Sequence, residues 1–210
     1  MLLYLHPDNP EDRKVRQVAD CLRQGGIVIY PTDTIYGIGC DITKYKVIER
    51  IAALKGKNLK TERFSIICCD LSSLSDYTRP INNSVYRIMK KTLPGPYTFI
   101  LEANNNVPKI FHSKRSSIGI RVPDNLITRS IVRELGNPIV STSVKIDDTI
   151  DEYITDPELI YERFGDMVDI VIHGGYGDNV PSTVIDCTDG TPTLIREGKG
   201  AIEIEDYKER

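Results

Sequence analysis

The chain has 210 residues, 40% of them hydrophobic, and a formal net charge of −3 at pH 7. This length lies near the upper end of the usual single-domain range, so we expect one domain over residues 1–210 and no additional C-terminal domain. No run of about 18 apolar residues occurs, and charges follow the short apolar start at once, which excludes a membrane-spanning helix and a secretory signal and predicts a cytoplasmic protein without a membrane partner.

The N-terminal half alternates helices with short apolar strands. Asn9-Pro10 followed by two acids is typical of a helix start, and Val15, Val18 and Leu22 then recur on one face before Gly25 ends the pattern. The further elements that we predict in this half are strands over 27–30 and 64–68 and helices over 43–54, 70–77 and 82–92.

The C-terminal half is richer in strands, which we predict over 97–101, 118–122, 138–143, 168–172, 183–186 and 193–196. One helix is predicted over 125–135, capped by Asp124, and another begins at Asp156-Pro157 and ends near Gly165. Because two late strands follow each other without a helix between them, we predict an α/β (α+β) fold in which helices pack on a twisted mixed sheet.

Five cysteines, an odd and scattered set without a C-x-x-C spacing, favour a reducing compartment. Cys68 and Cys69 are neighbours at a predicted strand, so their side chains point to opposite faces and cannot share a metal ion. We therefore predict neither a metal site on the protein nor a cysteine nucleophile.

Charge is distributed unevenly along the chain. Residues 1–145 carry 22 Lys and Arg against 13 Asp and Glu, a net charge of +9, whereas residues 146–210 carry 5 against 17, a net charge of −12. A basic body favours an anionic ligand near the first part of the chain. Two ordinary solvated faces of different charge would give the same pattern.

The first candidate segment runs from Tyr30 to Gly37 and contains Thr32, Thr34 and Tyr36. Hydroxyls, a carboxylate and a glycine just beyond a strand are typical of the place where open α/β sheets bind ligands. The alternative is a turn in which the threonines and the aspartate satisfy backbone groups.

The second candidate segment is Lys55-Gly56-Lys57 with Lys60 and Arg63, between a helix end and a strand. Lysines at a helix C-terminus are stabilised by the helix dipole, which would explain some of these cations without a ligand. A phosphate-binding site would use all of them directly. Both interpretations stay open.

The third candidate segment runs from residue 116 to residue 123 and contains the strand that we predict over 118–122. In a strand, Ser117, Gly119 and Arg121 share one face, and an arginine beside a glycine leaves room for a carboxylate to reach its planar fork. An edge strand with a solvated arginine is the alternative. Hydroxyl clusters at Ser143 and Ser182, and Arg196 near the chain's end, are each also explained as satisfied turns.

Taken in order, the stretches PTDTIYGIG, LKGK, SSIGIRVP, PSTVIDC and LIREG resemble the YrdC/YciO family of threonylcarbamoyl-adenylate synthase-like proteins, and its YciO branch most of all. The resemblance extends from about residue 8 to residue 204. It implies a YrdC-like domain with a large concave, positively charged face. It also implies that L-threonine, bicarbonate and ATP, with Mg²⁺ on the nucleotide, become threonylcarbamoyl-AMP and pyrophosphate for the modification of adenosine 37 in tRNA.

The resemblance assigns residues to two parts of the site. Thr34 would contact threonine, Arg121 would pair with its carboxylate, and Ser182 would lie nearby. Thr32, Tyr36 and Lys145 lie within or beside the matching stretches and carry no definite role. The nucleotide and its phosphates would lie along Lys55, Lys57, Arg63, Ser117, Ser143 and Arg196.

Three positions depart from the synthase pattern: Lys145 replaces an asparagine, Lys57 an arginine, and Cys68 a histidine found in some synthases. Lysine is a point charge without arginine's planar fork, so these exchanges predict slow or lost turnover. Two other functions therefore stay open: binding of tRNA or double-stranded RNA on the basic face, and regulatory binding of threonine or nucleotide.

Overall fold

The computed structural model describes residues 1–57, 59, 64–108, 116–145, 153–201 and 208–209. Within these residues, one mixed sheet runs through the molecule in the order β1-β8-β2-β3-β7-β4-β6-β5-β9-β10-β11. Its strands are β1 (Leu2–Tyr4), β2 (Val28–Tyr30), β3 (Gly37–Asp41), β4 (Ser65–Ile67), β5 (Tyr97–Glu102), β6 (Ser117–Arg121), β7 (Ile139–Ser143), β8 (Ile170–His173), β9 (Thr183–Asp186), β10 (Thr193–Arg196) and β11 (Lys208–Glu209).

The sheet carries helices on both faces, which confirms the predicted mixed fold. The helices are α1 (Asp12–Arg23), α2 (Tyr45–Leu54), α3 (Asn83–Thr92), α4 (Leu126–Leu135) and α5 (Pro157–Phe164). Strand pairs are both antiparallel, as in β3 with β7, and parallel, as in β4 with β6. None of the described helices combines the length and the apolarity that crossing a membrane would need.

Two expectations about helices are wrong. The segment over 70–77 forms only a 3₁₀ turn at Leu74–Asp76, because Asp70 Oδ1 accepts bonds from the Ser72 amide at 2.8 Å and from its hydroxyl. Such local side-chain bonds compete with a helix. The cap of α4 is Asn125, whose Oδ1 accepts from the Thr128 amide at 3.0 Å, whereas the Asp124 amide donates to Asp33.

Strand β3 was not predicted, because its glycines resemble a loop. Gly39 lies so close to β7 that a Cβ atom there would sit 2.4 Å from the Val140 carbonyl oxygen. Glycine at this position therefore allows β3 and β7 to approach each other closely within the sheet.

Two hydrophobic cores lie on opposite faces of the sheet. Helices α1 and α4 cover one face, where Leu22 and Ile131 pack with Val28, Ile67 and Ile139. Helices α2, α3 and α5 contribute to the core of the other face. Cys68 belongs to that second core and Cys69 packs against the first, which confirms that these neighbouring side chains face opposite ways.

Candidate functional site

Small side chains occupy the sheet face where the cover of α1 and α4 ends. Ser141 on β7 lies opposite Ser65 on β4, and Ser65 lies opposite Gly119 on β6. Side chains alternate along strands, so these residues share the face of Ile67 and Ile139, which belong to the α1/α4 core. Ser117 on β6 and Ser143 on β7 lie two positions from Gly119 and Ser141 and therefore share this face. We call the whole set the serine floor: Ser65, Ser117, Gly119, Ser141 and Ser143.

The serine floor is accessible at three positions and closed at Ser141, which is buried and accepts a hydrogen bond from the Tyr30 hydroxyl. Ser65, Ser117 and Ser143 are only half-buried, and so is Ile100, which pairs with Gly119 on the inner strand β5. A Cβ atom at Gly119 would lie 3.1 Å from Ser65 Cβ and 3.2 Å from Thr98 Cγ2. A ligand can therefore reach this face at the half-buried Ser65, Ser117 and Ser143, whereas Gly119 is enclosed by its neighbours.

Arg121 stands at one end of the serine floor in a buried polar cluster. Its Nη2 donates to Thr34 Oγ1 at 2.9 Å and to Asp33 Oδ1 at 3.1 Å. The Arg121 and Asp33 side chains are 11% and 9% exposed. Burial lowers the pKa of Arg121, and the charge of Asp33 opposes that shift. Arg121 Nε is buried and has no hydrogen-bond acceptor among the described residues.

The segment around Thr32 combines both interpretations of the first motif. Thr32 Oγ1 accepts from the Thr34 amide at 3.0 Å and donates to the Ile35 carbonyl at 2.8 Å, as in a turn. The Thr34 hydroxyl instead accepts the hydrogen bond from Arg121 Nη2. Tyr36 is buried and donates to the Gly175 carbonyl at 2.7 Å, and burial raises its pKa to about 12.

Ser182 and Arg196 adjoin the Arg121 cluster. Thr98 lies one position beyond the Phe99–Ile120 pair of β5 and β6, which places it opposite Arg121. The hydroxyls of Thr98 and Ser182 are 2.7 Å apart. Arg196 donates to the Ser182 carbonyl from Nη2 at 2.8 Å. Thr34, Arg121, Ser182 and Arg196 therefore come from four separate segments and meet in one place.

Lys55 lies at the other end, beside the last residue of β7. Its buried ammonium donates to Thr142 Oγ1 at 3.1 Å and to the Ser143 carbonyl at 3.2 Å. The Thr142 side chain faces away from the serine floor, so Lys55 reaches the end of β7 from the opposite side of the sheet. Lys57 is half-buried and follows Gly56, whose φ is +64°.

Three further cations belong to or adjoin the segments singled out in the sequence. The Lys145 ammonium lies 5.2 Å from the centre of the Tyr153 ring, a cation–π contact. Arg63 and Lys60 lie outside the described residues. The structure thus places Lys55 and Lys145 near Ser143. The phosphate contact of Arg63 stays a prediction.

A polar cleft of about 420 Å³ opens beside Thr34. Lys199 links two of its walls, because its ammonium donates to the Asp33 carbonyl at 2.7 Å and pairs with Asp178 Oδ2 at 2.7 Å. The bond from Lys199 lowers the pKa of Asp178. The cleft is lined by Thr32, Asp33, Thr34, Thr155, Tyr176, Gly177, Asp178, Asn179 and Lys199.

The sequence patterns missed several residues of this site. Asp33 stands inside the first motif, but only the fold reveals that its carboxylate pairs with Arg121. Asp178 and Lys199 carry no local signal at all, since single charges in loops are common. Among the described residues, no three His, Cys, Asp or Glu side chains group closely enough to hold a metal ion.

Comparison with known proteins identifies relatives along most of the chain. A family model named Sua5_yciO_yrdC, with the description "Telomere recombination", matches residues 20–198. The protein YciO of Escherichia coli strain K12 is 42% identical over 206 residues, which are 95% of this chain and 96% of that protein. A threonylcarbamoyl-AMP synthase of Nitrosococcus oceani is 35% identical over 130 residues, 62% of this chain and 70% of the synthase.

Two solved structures share the fold. The crystal structure of E. coli YciO superposes with a TM-score of 0.89 at 41% identity and covers 97% of this chain and 98% of that one. The crystal structure of P. abyssi Sua5 complexed with L-threonine has a TM-score of 0.86 at 26% identity. That match covers 94% of this chain but 57% of the Sua5 chain, which is therefore considerably longer.

Proposed function

Since the chain belongs to the Sua5/YciO/YrdC family, we propose that it is a threonylcarbamoyl-adenylate synthase-like enzyme. It would join L-threonine, bicarbonate and ATP into threonylcarbamoyl-AMP and release pyrophosphate. The family includes threonylcarbamoyl-AMP synthases, and P. abyssi Sua5 is known in complex with L-threonine. The product would serve the threonylcarbamoylation of adenosine 37 in tRNA.

The observation that carries the proposal is the environment of Arg121. A buried arginine with an Nε–H donor that has no acceptor is costly, by about 1–3 kcal/mol for an unsatisfied buried group. A carboxylate bound at this end of the serine floor would supply acceptors in the plane of the guanidinium. Thr34 and Ser182, on either side of Arg121, would contact the rest of the amino acid.

The serine floor suits the nucleotide. The half-buried Ser65, Ser117 and Ser143 have small side chains whose hydroxyls can donate to phosphoryl oxygens. Arg196 would hold the substrate at one end of the serine floor. At the other end, Lys55 would reach the phosphates by leaving the Thr142 hydroxyl and the Ser143 carbonyl, which its ammonium bonds from the opposite side of the sheet. Mg²⁺ would enter on the phosphates of ATP, which is its usual mode of binding in such sites.

The reaction needs positioned cations more than it needs a nucleophilic side chain. Bicarbonate supplies carbon dioxide by losing hydroxide, and threonine's amine adds to the carbon dioxide and releases a proton, which gives a carbamate and water. A carbamate oxygen then attacks the α-phosphorus while pyrophosphate leaves. Charge spreads over the phosphoryl oxygens in the transition state, so fixed donors provide the stabilisation. Burial raises the pKa of Cys40, Cys68 and Cys187 to about 12, which keeps these thiols protonated at neutral pH.

Pyrophosphate release tests the proposal. The purified protein with ATP, Mg²⁺, bicarbonate and L-threonine should release pyrophosphate, and omission of L-threonine should abolish the release. Arg121→Ala should lower kcat/KM for threonine at least a hundredfold, because a charge-assisted pair is lost. Arg87→Ala, which changes an exposed arginine on α3, is the matched control and should leave the rate unchanged. Equal rates in both variants would contradict the role of Arg121.

A further inference from the structure

The segment over 174–181 presents an aromatic ring at the polar cleft. Tyr176 is 79% exposed, the highest value among the large hydrophobic side chains in the described part of the chain. It lines the cleft together with Thr155, Asp178 and Asn179. Most exposed tyrosines need no explanation. Tyr176 differs in the constrained backbone that carries it and in the polar groups that surround its ring.

Hydrogen bonds fix the backbone on both sides of Tyr176. The Gly175 carbonyl accepts from the Tyr36 hydroxyl at 2.7 Å, and the Gly177 amide donates to the Thr155 carbonyl at 2.7 Å. The Asp178 amide donates to the Thr34 carbonyl at 3.0 Å. Several hydrogen bonds therefore fix the backbone that carries this solvent-exposed aromatic side chain beside Thr34.

Gly174, two residues before Tyr176, and Gly177, directly after it, are required by packing as well. A Cβ atom at Gly177 would lie 2.7 Å from the Tyr36 ring, and one at Gly174 would lie 2.7 Å from both Ile127 Cδ1 and Pro31 Cγ. These close contacts anchor the segment to the body of the protein. The ring is thus attached to a constrained backbone and not to a loosely tethered loop.

The cleft is larger than a small amino acid needs. The cleft is open to solvent, and its volume of about 420 Å³ is comparable to the roughly 300–1,000 Å³ found for ligand-binding pockets. An exposed aromatic ring beside amide and hydroxyl groups is the combination that binds a nucleobase, by stacking on its face and hydrogen bonding at its edge.

We propose that Tyr176 stacks on the planar heteroaromatic ring of a nucleotide, with Asn179 and Thr155 at the edge of that ring. The same chemistry could come from a mononucleotide or from an unpaired base of RNA. The mononucleotide case rests on the proposed function, which requires ATP. The RNA case does not, and the stacking itself can be measured without turnover.

Fluorescence tests the stacking directly, because the chain contains no tryptophan. Tyr176→Trp would introduce the sole tryptophan at the cleft, and Tyr86→Trp would introduce it on α3, where Tyr86 is 42% exposed. AMP should quench the fluorescence of Tyr176→Trp in a saturable way and leave that of Tyr86→Trp unchanged. Ribose 5-phosphate, which lacks the base, should quench neither.

Further variants and ligands measure the affinity for AMP and show whether the ring binds a mononucleotide or a base of RNA. Tyr176→Ala should weaken the binding of AMP on the order of tenfold, the size expected when a base loses its stacking partner, and Tyr176→Phe should bind AMP as the wild type does. Quenching by a single-stranded oligoadenylate at lower base concentration than by AMP would assign the ring to RNA. The reverse order would assign it to a mononucleotide.

The proposal is overturned if AMP and the oligoadenylate quench neither variant or quench both equally, or if Tyr176→Ala binds AMP with unchanged affinity. If the wild type releases pyrophosphate in a threonine-dependent way but no ligand quenches Tyr176→Trp, only the stacking proposal is refuted. The proposed function would then remain, so the two failures can be told apart.

Discussion

At the scale of single residues, the site depends on contacts that no local pattern contains. Arg121 and Thr34 each belong to a motif that the sequence singles out, but their 2.9 Å hydrogen bond joins segments 87 residues apart. Asp33 was part of the first motif without a role, because a carboxylate in a Pro-Thr-Asp-Thr turn is explained equally well by backbone bonding. Only the folded chain pairs it with Arg121.

This pairing makes Asp33 important for stability. Asp33→Asn should lower the free energy of unfolding by about 3–5 kcal/mol, because it leaves the buried Arg121 guanidinium without its counter-charge. Urea denaturation measures the difference. Asp20→Asn is the matched control, because Asp20 pairs with Arg23 at the surface and such a pair contributes about 0–1 kcal/mol. Similar losses in both variants would argue against a buried ion pair at Arg121.

At the scale of elements, amphipathic segments were predicted well and glycine-rich or serine-rich ones were not. The apolar face of α1 is buried as predicted, since period-3.6 patterns report a helix that packs on one side. Strand β3 was missed because Gly37 and Gly39 hide the alternation that marks a strand. The segment over 70–77 is not the helix that we predict, because the Asp70 carboxylate accepts bonds from the Ser72 amide and hydroxyl that compete with helix formation.

The close approach of β3 and β7 gives a prediction at this scale. Gly39→Ala should destabilise the protein by about 1–3 kcal/mol or more, because its Cβ would meet a backbone carbonyl at 2.4 Å and the strands would have to separate. Gly119→Ala is the comparison, because its nearest neighbours are side-chain carbons at 3.1 and 3.2 Å that can shift. Thermal unfolding should show the larger loss for Gly39→Ala, and the opposite order would refute this account of β3.

At the scale of the whole molecule, the mixed sheet explains how distant motifs meet. Its order brings β7, β4, β6 and β5 side by side, although they come from four regions of the chain. Small residues on one face of β7, β4 and β6 form the serine floor, with Arg121 at one end. Lys55 bonds the other end of β7 from the opposite side of the sheet. Binding of RNA to the basic part of the chain stays a prediction, as do the roles of Lys57 and Arg63.

The most direct test is a crystal structure of the protein soaked with ATP, Mg²⁺ and L-threonine. The amino acid's carboxylate should lie within hydrogen-bonding distance of Arg121, and the nucleotide's phosphates should lie against Ser65, Ser117 and Ser143. Threonine or nucleotide bound elsewhere, with the serine floor filled only by solvent, would contradict this prediction.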